Sequence, residues 1–463
     1  LFVLFGALLE TAGAGAYFIK SAIALLGHMR GGPAKAAVVA SASTGLISGS
    51  SIANVVTTGT FTIPLMKRFG YSPVFAGAVE ATSSMGGQIM PPVMGAVAFI
   101  MAETLGVPYS EIVKAALIPA ILYFVSAFWM VHLEAGRRGL VGLPASELPS
   151  AARALRDGWH LLVPLVVLVT FLFSGYTPLY AGTVGLVMTV LLMLGLSVAL
   201  DLPNAVLRTI YWIGLGLVAA SAIEVGLWLA GLVIAALVAW SLKSRGGRAV
   251  LADVVSGLAD GARTALPVGI ACAIVGIVVG TITLTGVATT FGTFVVYLTG
   301  VAAEIGGRVI AIGQDNLFLA LLLTMLTCLL LGMGIPTIPN YIITSSLAAP
   351  ALLHLGVPLI VGHMFVFYFG ILADLTPPVA LACFAAAPIA RESGLKISLQ
   401  AVKIATAGFV VPFMAVYTPS LMLQDGGPLS QSMGYAVAVA YIVAKTLLAI
   451  ALWGSAIVGF LHI

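Results

Sequence analysis

The sequence predicts an all-α polytopic membrane protein that carries two repeats of inverted topology, each with a re-entrant helical hairpin. Three observations lead there. Of 463 residues, 61% are hydrophobic and only 8% are charged, with a mean hydropathy of +1.15. Many segments approach the 20 apolar residues that cross a hydrocarbon core, and no alternating pattern of a transmembrane barrel is present. Within this apolar chain lies STGLISGSSIANVVTTGT, Ser43 to Thr60, with eight hydroxyl residues, one Asn, three Gly and no charge. The same region returns 286 residues later without a gap: Asn54 matches Asn340, Thr58 Thr344, Pro64 Pro350, Gly70 Gly356, and Pro91-Pro92 Pro377-Pro378.

The elements follow in order. A first helix ends near Ala16 and a short second one covers about 17–29. After the loop Arg30-Gly31-Gly32-Pro33-Ala34-Lys35 comes the polar region 36–66, closed by Lys67-Arg68. It is too long for one span and is broken at Ser48-Gly49-Ser50, so it reads as two half-helices with a non-helical tip. Helices are then expected at about 72–104, 111–134, 159–174, 178–200, 205–222 and 224–242. A long apolar stretch covers 263–300, and the second hairpin region 315–354; helices at about 358–388, 398–422 and 433–461 complete the chain. Segments 145–157 and 249–262 are amphipathic and lie beside basic clusters, as helices in the cytoplasmic interface do. The expected division is 1–134, the first repeat; 135–262, scaffold helices with those interfacial segments; 263–422, the second repeat; and 423–463, a C-terminal helix.

Charge sets the orientation. Lys35 precedes the first hairpin and Lys67-Arg68 follow it, which puts both ends on the cytoplasmic side. The second hairpin has only Arg308 before it and His354 after it, so its ends read as external. The count of crossings agrees if 263–300 makes one net crossing, although that stretch is long enough for a span plus a half-span. Inverted repeats of this kind are a common plan of secondary transporters.

Irregular backbone at membrane depth must be buried in protein or line a wet cavity, so a polar tip marks a site. Ser, Thr, Asn and free carbonyls give oxygen ligands without fixed charge, which suit a small hard cation such as Na⁺. Half-helix N-termini suit a carboxylate. Each hairpin has a companion where a Pro pair must break a helix: TSSMGGQIMPP from Thr82 and ADLTPP from Ala373. Tip and break are expected to face one another within each repeat, forming two cation sites. Of the acidic residues inside spans (Glu80, Glu103, Glu224 and Asp374), Asp374 is best placed, and a proton-coupled mechanism through it is an alternative. Glu80 reads as structural, paired with hydroxyls, and Glu103 as lying near a helix end. Cys272, Cys328 and Cys383 lie singly as small hydrophobes, and the six His show no ligand spacing. No Ser has a base beside it, so the chain is not read as an enzyme. The net charge of +4 resides in short loops and does not indicate a nucleic-acid partner. The chain begins at Leu1 inside an apolar segment with no signal-peptide pattern, and is expected to be part of a longer one.

Four motifs carry a family resemblance: SGSSIANVVTTGTFTIPLMKRFGYSPVFAGAVEA, GGQIMPPVMGAVAFIMAE, LGMGIPTIPNYI and DLTPPVALACFAAAPIA. With them the chain resembles, over nearly its whole length, the large membrane subunit of the tripartite ATP-independent periplasmic (TRAP) transporters. GGQIMPPVMGA together with VPYSEIVKAALIPA resembles the subgroup with fused small and large subunits, which works with TAXI-type binding proteins. The resemblance implies Na⁺-driven import of an organic acid handed over by a periplasmic binding protein, in the inner membrane of a bacterium or archaeon. It also implies an elevator in which a transport domain slides on a scaffold, and a small (Q-type) subunit either fused upstream or separate. Carried over residue by residue, one cation site would use Ser48, Gly49, Ser50, Ser51 and Asn54 with Gly86, Gly87 and Gln88. The other would use Gly332, Gly334, Thr337 and Asn340 with Asp374 and Thr376. Substrate would lie near Ser50, Asn54, Pro336 and Thr337. Asp374 departs from the uncharged residue expected there, which leaves the ligands and the coupling ion open. An ion channel is the remaining alternative; paired inverted hairpins speak against it, since a channel needs no alternating access.

Overall fold

The computed structural model describes residues 1–287, 290, 317–425 and 427–459, and every described element is helical. Two compact units divide the chain. One joins Leu1–Tyr17 to Leu155–Pro267; the other joins Phe18–Ala154 to Val268–Ile463. Among the described residues, five helices are long and apolar enough to cross a membrane, or seven if each of two bent pairs counts as one span.

The elements begin with α1 (Phe2–Thr11), α2 (Ala14–Leu26), α3 (Gly32–Ser48), α4 (Ser51–Arg68), α5 (Pro73–Gly87), α6 (Val97–Leu105) and α7 (Tyr109–Arg137). Then come α8 (Ala151–Gly158), α9 (Val163–Phe173), α10 (Pro178–Asp201), α11 (Ala205–Val225), α12 (Leu227–Lys243) and α13 (Arg245–Thr285). The rest are α14 (Leu317–Gly332), α15 (Thr337–His354), α16 (Leu359–Leu372), α17 (Leu381–Ala390), α18 (Gly394–Ile404), α19 (Thr406–Tyr417), α20 (Pro428–Met433) and α21 (Tyr435–Val458).

In the first unit, Leu8 of α1 is buried against Leu191, Leu194 and Val198 of α10, with Leu237 of α12 and Val254 of α13 in the same cluster. Small residues let helices approach closely: a Cβ at Gly261 would lie 2.9 Å from the Leu4 side chain. One expectation changes here. Segment 249–262 is not a separate interfacial helix but the first part of the 41-residue α13. Its apolar spacing runs on into the apolar 264–285, and the only breaker, Pro267, costs one backbone bond without ending the helix. The other amphipathic segment, 145–157, likewise leads into a longer helical stretch: α8 continues through a 3-10 turn at Trp159–Leu162 into α9, and Ala151–Phe173 together is of membrane-spanning length.

The second unit holds both polar hairpins. Helix α3 ends at Gly49, which takes a left-handed conformation (φ 62°), and Ser50 is the extended N-cap of α4, accepting from Ala53 N–H. A glycine meets that φ without a Cβ penalty. The chain therefore reverses within two residues. Bonds across the turn show the two helices lying side by side: Asn54 Nδ2 donates to the Ser41 carbonyl (2.8 Å), and the Ser41 and Thr58 hydroxyls are 3.2 Å apart.

Structure at the second copy repeats the first at the same offset. Helix α15 starts and ends at the residues matching the ends of α4 (Ser51 with Thr337, Arg68 with His354), and α5 matches α16 within one residue. Both Pro-Pro bonds are cis, and both are followed by a non-glycine residue at positive φ, Met94 and Ala380. The helix expected over 72–104 is accordingly two helices, α5 and α6, separated by the Pro pair. Lys35 also differs from its expected role as a flanking surface charge. It is buried, donates to His132 Nδ1 at 3.0 Å and lies over the Phe128 ring. The orientation read from charge therefore rests, at this end, on Arg30. Glu224 and Arg308 fall outside the residues whose side chains are described.

Candidate cation and substrate site at the hairpin tips

The tips bring most of the expected site residues together, in an arrangement that the repeats alone did not suggest. Each tip packs on the broken helix of its own repeat through backbone. A Cβ at Gly87 would come within 2.6 Å of Gly45 Cα, and one at Gly49 within 3.0 Å of Gly95 Cα. In the second repeat, a Cβ at Gly332 would meet the Gly370 carbonyl at 2.8 Å. These glycines are what allow hairpin and break to touch.

The side chains at the very tips cross over to the other repeat. Ser51 Oγ donates to Asp374 Oδ2 at 2.5 Å, and Thr337 Oγ1 donates to Gln88 Oε1 at 2.8 Å. The two contacts are equivalent: Ser51 corresponds to Thr337 and Gln88 to Asp374 at the 286-residue offset. The expected within-repeat pairing of tip and break is thus backbone packing, while the tip hydroxyls join the two repeats. Each hydroxyl is the first residue of its helix, where side chains point back past the N-terminus toward the facing break.

Asn54 and Asn340 hold the most informative atoms. Asn54 Nδ2 donates to the Ser41 carbonyl (2.8 Å) and to Ser84 Oγ (3.0 Å); Asn340 Nδ2 donates to the Gly370 carbonyl (2.7 Å). Both side chains are buried, and in both the amide oxygen has no hydrogen-bond partner. Gln88 is similar: its oxygen is used and its buried Nε2 is not. A buried polar atom without a partner is rare and costs about 1–3 kcal/mol. Two such oxygens at matching places, both on residues expected as cation ligands, fit a hard cation held by neutral oxygens.

Several expected residues hold local bonds as well. Ser48 Oγ donates to the Ser50 carbonyl, and Thr376 Oγ1 to the Leu372 carbonyl of its own helix, bonds that use the hydrogen and leave the oxygen lone pairs. Ser50 caps α4, which uses one lone pair of its hydroxyl, and Gly334 (φ 77°) lies in the second tip between α14 and the cap Pro336. Gly86 faces away from the tip: its Cβ would collide with Tyr123 at 2.5 Å. Three contributors were not among the expected ligands, Ser41, Ser84 and Gly370, which contact the two Asn amides; Ser84 lies within the expected companion stretch. Ser41 lies just outside the quoted polar stretch, and Gly370 acts through its backbone.

A helical chain with several membrane-length apolar segments, and two matched hairpins whose polar tips meet, fits a polytopic membrane protein. Residues 1–428 match the family described as the DctM component of the tripartite ATP-independent periplasmic transporters, and the chain belongs to that family. It is 30% identical over 190 residues to the C4-dicarboxylate TRAP transporter large permease protein of Pseudomonas aeruginosa, covering 40% of this chain and 43% of that one. It is 27% identical over 184 residues to the sialic acid TRAP transporter large permease protein of Vibrio cholerae, again covering 40% and 43%. An uncharacterized protein of Sinorhizobium fredii is 28% identical over 195 residues, covering 42% and 46%. The aligned stretch spans less than half the length of each of these relatives.

Proposed function

We propose that this chain is the large membrane subunit of a secondary transporter. It imports an organic acid, delivered by a periplasmic binding protein, across the inner membrane of a bacterium or archaeon, and is driven by Na⁺. The observation that carries this reading is the pair of buried, unpartnered oxygens on Asn54 and Asn340, at matching places in the two repeats. Each would contribute to one Na⁺ site, with free carbonyls at the adjoining helix breaks completing the oxygen set. The substrate carboxylate would lie between the tips, near Ser50, Asn54, Pro336 and Thr337. The N-terminus of α15 has no side-chain cap, so the N–H groups of Thr337 and Ile338 in its first turn would be open to an anion. Family membership supports an elevator, with both hairpins moving as one body, and the crossed tip contacts give that body an internal tie. The division into repeats 1–134 and 263–422, scaffold 135–262 and C-terminal helix 423–463 belongs to the same proposal, as do a TAXI-type binding protein and a small membrane subunit as partners.

A second reading is favoured by one contact. Asp374 is buried, takes a hydroxyl bond from Ser51, and among the described residues forms no ion pair with Lys, Arg or His. A carboxylate in that position can carry a coupling proton. Uptake in proteoliposomes with the partner binding protein, scanning candidate acids under Na⁺ or proton gradients, decides between the two. Saturable uptake driven by the Na⁺ gradient is expected, and the Ser50→Ala and Asn54→Ala variants should abolish it. Unchanged uptake in both variants would remove the site assignment.

A further inference from the structure

Three acidic side chains are buried among the helices of the hairpin repeats, Glu80, Glu134 and Asp374, and of these Glu134 is paired with Arg137 and Arg138. Glu80 is fully buried on α5. Four hydroxyls from three helices surround its carboxylate. Ser41 of α3 donates to Oε1 at 2.7 Å and Ser84 of α5 at 3.1 Å; Thr58 of α4 donates to Oε1 as well, and Thr62 of α4 to Oε2 at 2.5 Å. Among the described residues no cation pairs with it. The matching position in the second repeat is Val366, so whatever Glu80 does is done in the first repeat only.

The hydroxyl inventory shows what that is. A carboxylate oxygen only accepts, so the single hydrogen of Ser84 is committed to Glu80. Toward Asn54, Ser84 then has only lone pairs to offer, and Asn54 must present its Nδ2. The Ser41 carbonyl takes the other Nδ2 hydrogen. Both donors of the amide are spent, and Oδ1 is left buried without a partner. Were the Ser84 hydrogen free to turn toward Nδ2, it would oppose that contact and leave the Ser41 carbonyl alone to hold the amide. In the second repeat the place of Ser84 is taken by Gly370, and a backbone carbonyl orients Asn340 directly, with no charge behind it.

We propose that Glu80 is a positioning residue for the first cation site. Through Ser84 it fixes the Asn54 amide with its oxygen toward the cation, and its charge makes this site the tighter of two otherwise matched sites. The inference rests on the Na⁺-site reading of the two Asn residues. Outer-shell partners of this kind change metal affinity by about 10- to 100-fold. The test is Na⁺ binding, by calorimetry, to the purified full chain and to Glu80→Gln, Ser84→Ala and the double variant. Melting temperatures in the absence of Na⁺ report stability separately. Each single variant is expected to weaken the tighter of two binding events by about tenfold and leave the weaker one in place. The double variant should lose no more than either single one, because both break the same relay. Glu80→Asp should recover part of the affinity. Unchanged Na⁺ affinity in both single variants, or additive losses, would overturn the positioning role while leaving the two-site reading intact. A lowered melting temperature with normal Na⁺ binding would assign Glu80 a purely structural role and also overturn it. No Na⁺ binding by the wild type would remove the two-site reading and this inference together.

Discussion

Ser51 and Thr337 occupy the same place in the two repeats, yet they donate to different partners: one to a carboxylate, the other to an amide oxygen. That difference has an energetic consequence. A buried hydrogen bond to a charged group is worth about 1.5–3 kcal/mol net, a neutral one about 0.5–1.5. Ser51→Ala should therefore lower thermal stability more than Thr337→Ala, by about 1 kcal/mol in excess. Melting curves of the two variants in the same detergent check the order, and equal losses would show that Asp374 finds another donor. Asp374→Asn keeps an acceptor for Ser51 but removes the charge. On the Na⁺ reading its uptake still follows the Na⁺ gradient, with weakened apparent Na⁺ affinity. Initial rates at fixed pH over a Na⁺ series measure this, and loss of a proton-driven component with no Na⁺ response in the wild type would favour the second reading.

At the level of elements, glycine contacts decide how closely the first hairpin approaches α5. A Cβ at Gly87 would fall 2.6 Å from Gly45 Cα, and one at Gly45 would fall 2.8 Å from Gly87 Cα, with backbone on both sides. Backbone cannot rotate aside as a side chain can, so Gly87→Ala is expected to cost about 1–3 kcal/mol by overpacking. Gly214→Ala on α11, where nothing lies within 4 Å, should be neutral or mildly stabilising. Comparing the two melting temperatures tests the close approach, and a harmless Gly87→Ala would refute it. The hairpins themselves were legible in the sequence, because a helix break needs local signals: Ser-Gly-Ser at one tip, Gly-Met-Gly-Ile-Pro at the other, and a Pro pair in each companion. The crossed contacts were not. Ser51 and Asp374 are 323 residues apart, and Thr337 and Gln88 are 249 apart. A repeat at fixed offset says which positions are alike but not which copy a side chain reaches. Glu80 lies between these cases. Its hydroxyl partners follow from composition, but its link to Asn54 passes through Ser84, a side-chain contact that no sequence pattern encodes. The mismatch of Glu80 with Val366 was the available signal that the two halves differ. The long α13 shows the converse error: an amphipathic stripe marks a face and not an end, and even Pro267 does not end this helix.

At the scale of the whole molecule, everything proposed for transport depends on the two hairpins opening to opposite sides of the membrane. The matched helices give this a clean test, because Arg68 and His354 end α4 and α15 at equivalent positions and both are exposed. Arg68→Cys and His354→Cys can be introduced singly after replacing Cys272, Cys328 and Cys383, of which the last two are buried. In oriented vesicles a membrane-impermeant thiol reagent should reach position 68 only from the cytoplasmic side and position 354 only from the external side. Basic residues favour the cytoplasmic side, and Lys67 and Arg68 close the first hairpin, whereas His354 and Leu355 close the second. Both charges are partly engaged: Lys67 donates to the Ala390 carbonyl at 2.9 Å, and the exposed Arg68 lies 3.9 Å from Glu147. Labelling of both positions from one side would make the repeats parallel rather than inverted. The tips could still meet as they do here, but the two sites would no longer face opposite compartments, and alternating access through them would have to be abandoned.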